Sequence, residues 1–177
     1  MLFDGWLRPA RALGLCALTA GLFGCTAYQP SGQPSFYRTM AEPGAVLDAK
    51  AAASMISGYR RNNGLGAVAL DDHLMRMAQE QAHAMASRNR FEHNVAGSFA
   101  QRIKHAGYDA KIAVENIGAG YHTLAEAFSG WRDSPPHRAN MLRSGVTKMG
   151  IAAVYSPDSK YKVFWALILA APDDRRG

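Results

Sequence analysis

The feature that most constrains the fold is a run near the end of the sequence that is apolar on both faces. From Val163 to Ala171 no side chain is charged, so a strand formed here has to be covered by protein on both sides. The residues from Met149 to Tyr155 alternate as a strand does, and Ser156 to Ser159 is typical of a turn. These segments predict a hairpin whose second strand, Tyr161 to Ala170, lies in the centre of a sheet.

Helical patterns fill much of the sequence before this hairpin. Apolar residues four apart predict a helix from Val46 to Arg61, and Asn62 to Gly64 would end it. A second helix is predicted from Asp71 or Asp72 to Arg88. Its core-facing stripe comprises Leu74, Met77, Ala78, Gln81, Ala82 and Met85.

Two capping boxes mark the starts of shorter helices. Ser98 with Gln101, and Thr123 with Glu126, have the spacing at which two side chains satisfy the first backbone N–H groups of a helix. Helices that precede a hairpin of this kind pack against its sheet as layers. The predicted fold is therefore α/β, a three-layer α/β/α sandwich with a mostly antiparallel central sheet.

The N-terminal residues 1–24 are predicted to be a lipoprotein signal peptide. Basic residues precede an apolar run that is too short for a stable membrane anchor and that ends just before Cys25. Cys25 would carry the lipid; ordinary secretion and an uncleaved anchor are the alternatives. Residues 25–45 contain several Pro, Ser and Gly, which predicts a flexible tether, and residues 46–177 would form the domain.

The charge of the chain bears on its partners and its location. A net charge of +6 at pH 7 favours anionic partners, although scattered basic residues also fit a merely solvated surface. An exported protein rarely meets nucleic acid, so besides the membrane we expect a lipid or a cell-wall polymer. Thr26 follows Cys25, which in a cell with two membranes indicates the outer one. The expected location is the cell envelope, extracytoplasmic and lipid-anchored.

Three residues stand out as a candidate site: His93, Glu115 and His137. Glu115 lies 22 residues after His93 and 22 residues before His137, and each lies in a polar or turn-like segment between apolar elements. Imidazole and carboxylate groups are ligands that zinc accepts, and they also transfer protons near neutral pH. The spacing alone is not specific, because long gaps of this kind fit many folds.

The local pattern around these residues predicts their surroundings. A strand is predicted from Lys111 to Glu115, and Gly118 and Gly120 would form the turn after it. Pro135 and Pro136 would end the preceding helix, so that a new short turn begins at His137.

Several segments together carry a resemblance to a known family. They are Arg60 with Gly64-Leu65, the helix from Leu74 to Met85, Phe91 to Asn94, Glu115 to Ile117, Trp131 to Leu142, and Lys148 to Ile151. In this order they resemble the CAP superfamily, the SCP domain shared by cysteine-rich secretory proteins, antigen 5 and plant pathogenesis-related 1 proteins. The segment from Trp131 is similar to the bacterial branch, in which a Trp precedes Ser-Pro-Gly-His-Arg-x-Asn.

The resemblance implies the α/β/α fold and a central cavity lined by two His and two acidic residues. His93, Glu115 and His137 match three of these four, whereas Ser134 stands where eukaryotic members carry the second acidic residue. Val114 stands where the family usually has Gly. With three candidate ligands, we expect at most modest affinity for Zn²⁺ or another divalent cation.

Three functions remain open on the sequence. The favoured one is a binding or envelope-associated module, not an enzyme, whose His/Glu cavity holds a divalent metal. The alternative is a protease-like, metal-dependent hydrolase with Glu115 as general base on a metal-bound water; if any residues are catalytic, they are this Glu with His93 and His137. The third makes these residues, with the cavity neighbours Asn116 and Ser134, part of a structural hydrogen-bond network. A nuclease centred on the histidines lacks the sequence context.

Overall fold

The computed structural model describes Met1 and residues 32–173; the predicted signal peptide and Cys25 lie outside them. The elements in chain order are a 3₁₀ helix at Ser35–Tyr37, α1 (Ala49–Asn62), β1 (Ala69–Leu70), α2 (Asp72–Arg88), α3 (Phe99–His105), β2 (Ala110–Ala119), α4 (Leu124–Asp133), α5 (Pro135–Met141), β3 (Lys148–Tyr155) and β4 (Val163–Pro172). Within the described part of the chain, no helix is both long and apolar enough to cross a bilayer.

The apolar run at the end of the chain forms the central strand β4. The strand order is β1-β3-β4-β2, so β4 pairs antiparallel with β3 on one side and with β2 on the other. The two-residue strand β1, which was not predicted, pairs parallel with β3. The prediction of a mostly antiparallel sheet is confirmed, and the parallel β1 makes the sheet mixed.

Two layers of helices cover this sheet, one on each face. On one face α2 packs over alternate β4 residues, Ala166, Ile168 and Ala170, and α3 completes the layer. On the other face α1, α4 and α5 pack over the intervening residues, Trp165 and Leu167 among them. The three-layer α/β/α sandwich is therefore confirmed. It forms because β4 is apolar on both faces and each face has to be covered by helices.

The helix α2 lies unusually close to the sheet, and a glycine makes this possible. A Cβ atom added to Gly150 on β3 would clash with the backbone of Leu74 in α2. All six residues of the predicted α2 stripe are buried, and both predicted capping boxes open helices as expected. Strong local signals were thus sufficient for these elements.

The first helix begins three residues later than predicted, at Ala49, because the Asp48 carboxylate accepts a hydrogen bond from the Ala51 N–H and caps the helix there. Its most buried side chains include that of Arg60, which is 1% exposed. The Arg60 guanidinium donates hydrogen bonds to four backbone carbonyls, those of Gly66, Met141, Arg143 and Val146. It ties α1 to the loop before β1 and to the stretch from the end of α5 to β3, and burial lowers its pKa.

Part of the segment predicted as a tether packs against the domain. The side chain of Met40 is buried in the main core, and Phe36 packs against the same core. The Met40 N–H donates to the His122 carbonyl, and the Ser35 hydroxyl donates to Asp48 at 2.7 Å. Apolar residues scattered among Pro and Ser account for the difference, because they bury surface that a free tether would expose.

Candidate functional site

Glu115 lies in the middle of strand β2, not at its end as the sequence predicted. β2 continues to Ala119 because it pairs with β4 along its length, with Glu115 opposite Ile168 and Gly118 opposite Trp165. Of the two glycines predicted to form the turn, only Gly120 does so, with a φ of +87°. Gly118 serves close packing instead, since a Cβ there would lie 3.2 Å from the ring of Tyr121.

Neighbouring residues of a strand point to opposite faces, and this separates Glu115 from Asn116. Glu115 shares its face with Ile168, which packs in the α2–α3 layer. Asn116 shares its face with Leu167, on the side of α1, α4 and α5. The candidate site therefore has two halves, one on each side of the outer strand β2.

The first half is an ion-paired group built around the Glu115 carboxylate, whose side chain is only 2% exposed. Nη2 of Arg102, on α3, donates to both carboxylate oxygens at 2.8 and 2.7 Å. Nδ1 of His93 lies 2.8 Å from Oε1. These contacts occupy three of the carboxylate's roughly four lone-pair positions, and the burial of the side chain keeps solvent away from the one that is left.

The loop that carries His93 is held by the buried side chain of Gln81 on α2. Gln81 Nε2 donates to the backbone carbonyls of Glu92 and His93, at 3.0 and 3.2 Å. The His93 side chain is 50% exposed, so the imidazole is fixed at Nδ1 and open to solvent elsewhere. Because a carboxylate only accepts, this Nδ1 carries the hydrogen and the lone pair of the neutral ring lies on Nε2.

The second half is carried by α5, which begins at Pro135, two residues earlier than the predicted start at His137. Nδ1 of His137 lies 2.9 Å from the Ser134 hydroxyl. Ser134, which was predicted as a cavity neighbour, therefore contacts the imidazole of His137. Burial, and secondarily the charge of His93, lowers the pKa of His137 from its ordinary value. The neutral imidazole is thereby favoured, which is the form that binds metals.

Two amide side chains join α5 to strand β2. Asn116 Nδ2 donates to the His137 carbonyl at 2.9 Å. Asn140 Nδ2 donates to the Asn116 side-chain oxygen at 2.9 Å and to the Glu115 carbonyl at 3.1 Å. These bonds hold α5, which bears His137, beside β2, which bears Glu115. In the half of the site around His137, the contacts are those that a structural hydrogen-bond network would make.

The predicted three-ligand metal set does not assemble. His93 and Glu115 are in contact, but among the described residues no hydrogen bond joins His137 to either of them. His137 is near enough for the charge of His93 to act on it, whereas Glu115 points to the opposite layer and its carboxylate is bound to Arg102. Among the described residues, no three His, Cys, Asp or Glu side chains lie together in a way that could hold a metal ion. What remains is a pair of imidazoles, whose Nε2 atoms have no hydrogen-bond partner in the described part of the chain.

Sequence reasoning missed the residues that hold this site in place. Arg102 is only one of the scattered basic residues, Gln81 one member of the core-facing stripe of α2, and Asn140 one position in the segment from Trp131 to Leu142. Arg102 is 13 residues from Glu115 in sequence, and no local pattern links the two. A polar residue at a core position, as Gln81 is, was the one usable signal, since a buried amide needs partners.

The fold and these motifs agree with a family-level match. Residues 53–169 match the model of the CAP, or cysteine-rich secretory protein, family. The chain belongs to this family, in its bacterial type. The protein YkwD of Bacillus subtilis is 30% identical over 109 residues, which are 60% of this chain and 42% of that protein. The chain thus spans less than half of this relative.

Solved structures show the same fold at lower identity. An extracellular SCP-domain protein from Bacillus anthracis is 22% identical with a TM-score of 0.60, over 69% of this chain and 39% of that one. An outer surface protein from Borrelia burgdorferi is 21% identical with a TM-score of 0.65, over 71% and 93% of the two chains. These similarities establish the fold of the domain and nothing further about its chemistry.

Proposed function

We propose that this CAP domain is a binding module of the cell envelope whose ligand contacts the paired histidines, and that it is not a hydrolase. The observation that carries the proposal is the ion pair between Glu115 and Arg102. It assigns the carboxylate a positioning role: Glu115 fixes His93 at Nδ1 and leaves Nε2 facing outward. This is how carboxylates orient metal-binding histidines in many proteins.

The hydrolase alternative requires Glu115 to take a proton from water. Its side chain is 2% exposed and both oxygens are bound to Arg102. A general base must lie within hydrogen-bond reach of the proton that it removes, and the buried, doubly bonded carboxylate is poorly placed to meet a water molecule. Ser134 contacts His137, but the two are only three residues apart at the start of one helix. Within residues 32–173 no third side chain is hydrogen-bonded to His137 to make a triad.

A divalent cation fits this site only with two protein ligands, the Nε2 atoms of His93 and His137. Zinc sites usually have three or four protein ligands, so we propose weak binding, completed by solvent or by a ligand. Each imidazole has a partner that orients it through Nδ1: Glu115 for His93 and Ser134 for His137. The ion, where bound, would supply a Lewis-acidic centre that a ligand oxygen can occupy.

The proposed location is the extracytoplasmic face of the envelope, with lipidated Cys25 as the anchor. Two similar structures come from proteins described as extracellular and as an outer surface protein. The net charge of +6 supports an anionic envelope lipid or polymer as the partner.

Zinc titration by calorimetry on the full chain in maltoside micelles tests the proposal. We expect wild-type protein to release or absorb heat on binding one ion, and the His93→Ala/His137→Ala double variant to lose it. His83→Ala/His122→Ala, which alters two exposed histidines, is the matched control. Glu115→Gln should weaken binding about 10–100-fold, as the loss of an orienting partner does.

Other results would redirect the interpretation. If the folded wild type binds no zinc and the double variant loses only thermal stability, the histidines belong to a structural network. If any turnover of ester or peptide substrates by the wild type disappears in Glu115→Gln while substrate binding persists, the hydrolase alternative holds. Equal loss of zinc binding in the His83/His122 control would assign the heat to surface histidines.

A further inference from the structure

A second polar cavity lies between α2 and α3, apart from the paired histidines. Its volume is about 330 Å³, near the lower end for small-molecule sites. The polar residues that line it are His73, Arg76 and Glu80 from α2, with Arg102 and His105 from α3. Four of these five side chains carry N–H donors that suit an anion. The predicted site meets this group only at Arg102, which donates to the Glu115 carboxylate and to the His93 carbonyl.

The charge of Arg76 is free for a ligand. Within the described residues it forms no ion pair, although Glu80 lies one helical turn further along the same helix. Arginine presents a planar fork of donors that binds carboxylates and phosphates in a bidentate manner. An unpaired arginine at the wall of a cavity is therefore a ready contact for an oxyanion.

Arg102 adds a donor that lacks an acceptor. Its side chain is 10% exposed and its Nη2 is bound to Glu115, but its Nη1 is buried and has no hydrogen-bond partner among the described residues. A buried N–H without an acceptor is costly, and native proteins rarely leave one unsatisfied. The same side chain lines the cavity, so a small rotation of the guanidinium would bring Nη1 to a ligand oxygen bound there.

We propose that this cavity binds a phosphate group that carries neighbouring hydroxyls, of the size of glycerol phosphate. Two guanidinium and two imidazole groups offer more donors than the two oxygens of a carboxylate use, whereas a phosphate presents three or more charge-bearing acceptors. Glu80, the acidic residue of the lining, accepts from a ligand hydroxyl. The site differs from the paired histidines, so it stands even if the proposal for those residues fails.

Two sources share this chemistry: the headgroup of an anionic phospholipid and a polyol phosphate in solution or in a polymer. The histidine side chains of the full chain in maltoside micelles report on both by NMR. Free inorganic phosphate and glycerol phosphate are titrated first, and phosphatidylglycerol is then added to the micelles. We expect saturable shifts of His73 and His105 with a Kd of about 1 mM or lower.

Arg76→Gln is the decisive variant, since Arg102 also serves Glu115 and would disturb both sites. We expect glycerol phosphate to bind it about tenfold more weakly, as befits the loss of one charged hydrogen-bond donor. Arg61→Gln on α1 removes the same charge from an exposed position outside the cavity and should bind as the wild type does. Circular dichroism confirms that both variants are folded.

The outcomes separate support from refutation. Weaker binding of glycerol phosphate by Arg76→Gln, with unchanged binding by Arg61→Gln, supports the site. Competition by phosphatidylglycerol then indicates that the natural ligand is a lipid headgroup. Absence of competition indicates a soluble or polymeric polyol phosphate. No saturable shift in the wild type overturns the proposal, as does equal weakening in both variants. Acetate binding as tightly as phosphate would overturn the assignment to phosphate.

Discussion

Two buried arginines in this domain are used in contrasting ways. Arg60 is 1% exposed and directs its guanidinium to four backbone carbonyls. Arg102 directs its Nη2 to the side chain of Glu115 and leaves Nη1 without an acceptor in the described part of the chain. Arg60 is satisfied by the main chain alone. Arg102 makes long bonds of 3.4 Å to the carbonyls of Gly97 and His93, but its shortest bonds go to the side chain of Glu115 and it is satisfied only in part.

The difference indicates which part of the molecule is scaffold and which is site. Carbonyls keep their position whatever side chains surround them, so the bonds of Arg60 fix loops and little else. A carboxylate can turn or change its protonation, so the bond of Arg102 determines how Glu115 presents His93. Functional sites are where proteins most often leave local polar requirements unmet, and this domain follows that pattern.

Replacing Arg60 should have the largest effect on stability. Arg60→Met removes donors from four buried or half-buried carbonyls, and we expect a loss of about 3–5 kcal/mol, at the upper end for single substitutions. Urea unfolding followed by circular dichroism measures it. Arg61→Met, its exposed neighbour, should stay within about 0.5 kcal/mol. Similar losses in the two variants would mean that Arg60 is not the tie between α1 and the loops.

The amide bridge between α5 and β2 should matter less, because its partners are neutral. Asn140→Ala leaves the Glu115 carbonyl and the Asn116 side-chain oxygen without a donor, and we expect a loss of about 1–3 kcal/mol. The same substitution at exposed Asn62 is the control in the same unfolding experiment. If Asn140→Ala is neutral while zinc binding falls, the bridge orients His137 without supporting the fold.

The smallest effect concerns the protonation of His137. Its pKa lies below the ordinary 6.5, first through burial and second through His93. The unfolded chain therefore binds more protons, and the contribution of His137 to stability is complete above about pH 6.5 and falls as the pH drops through the lowered pKa. In a metal-free NMR titration, His93→Gln should raise the midpoint of His137 only part of the way to 6.5. A full return would show that burial is not the main cause.

The sequence predicted the elements whose signals are local. The α2 stripe, both capping boxes and the apolar β4 are correct because neighbouring residues determine them. The course of β2 beyond Glu115 was wrong because long-range pairing with β4 overrides the turn-forming tendency of Asn116 and Gly118. The packing of the segment before α1 was missed for a similar reason. Met40 is buried against residues that are distant in the sequence, so no local pattern indicates its burial.

The candidate site was predicted by residue but not by arrangement. His93, Glu115 and His137 do lie around the same strand, and Ser134 does contact His137. The split between the two faces follows from the alternation of β2, which could have been foreseen only if Glu115 had been placed inside the strand. The pairing of Glu115 with Arg102 depends on where α3 packs, and nothing in the local sequence specifies that.

The pairing of Arg102 with Glu115 is tested most directly by a double-mutant cycle. The free energies of unfolding of wild type, Arg102→Gln, Glu115→Gln and the double variant give the energy of interaction between the two side chains. For a buried charged pair in contact we predict a favourable coupling of about 2–3 kcal/mol. Additive losses, with a coupling near zero, would contradict the pairing and make Glu115 available again as a metal ligand or general base.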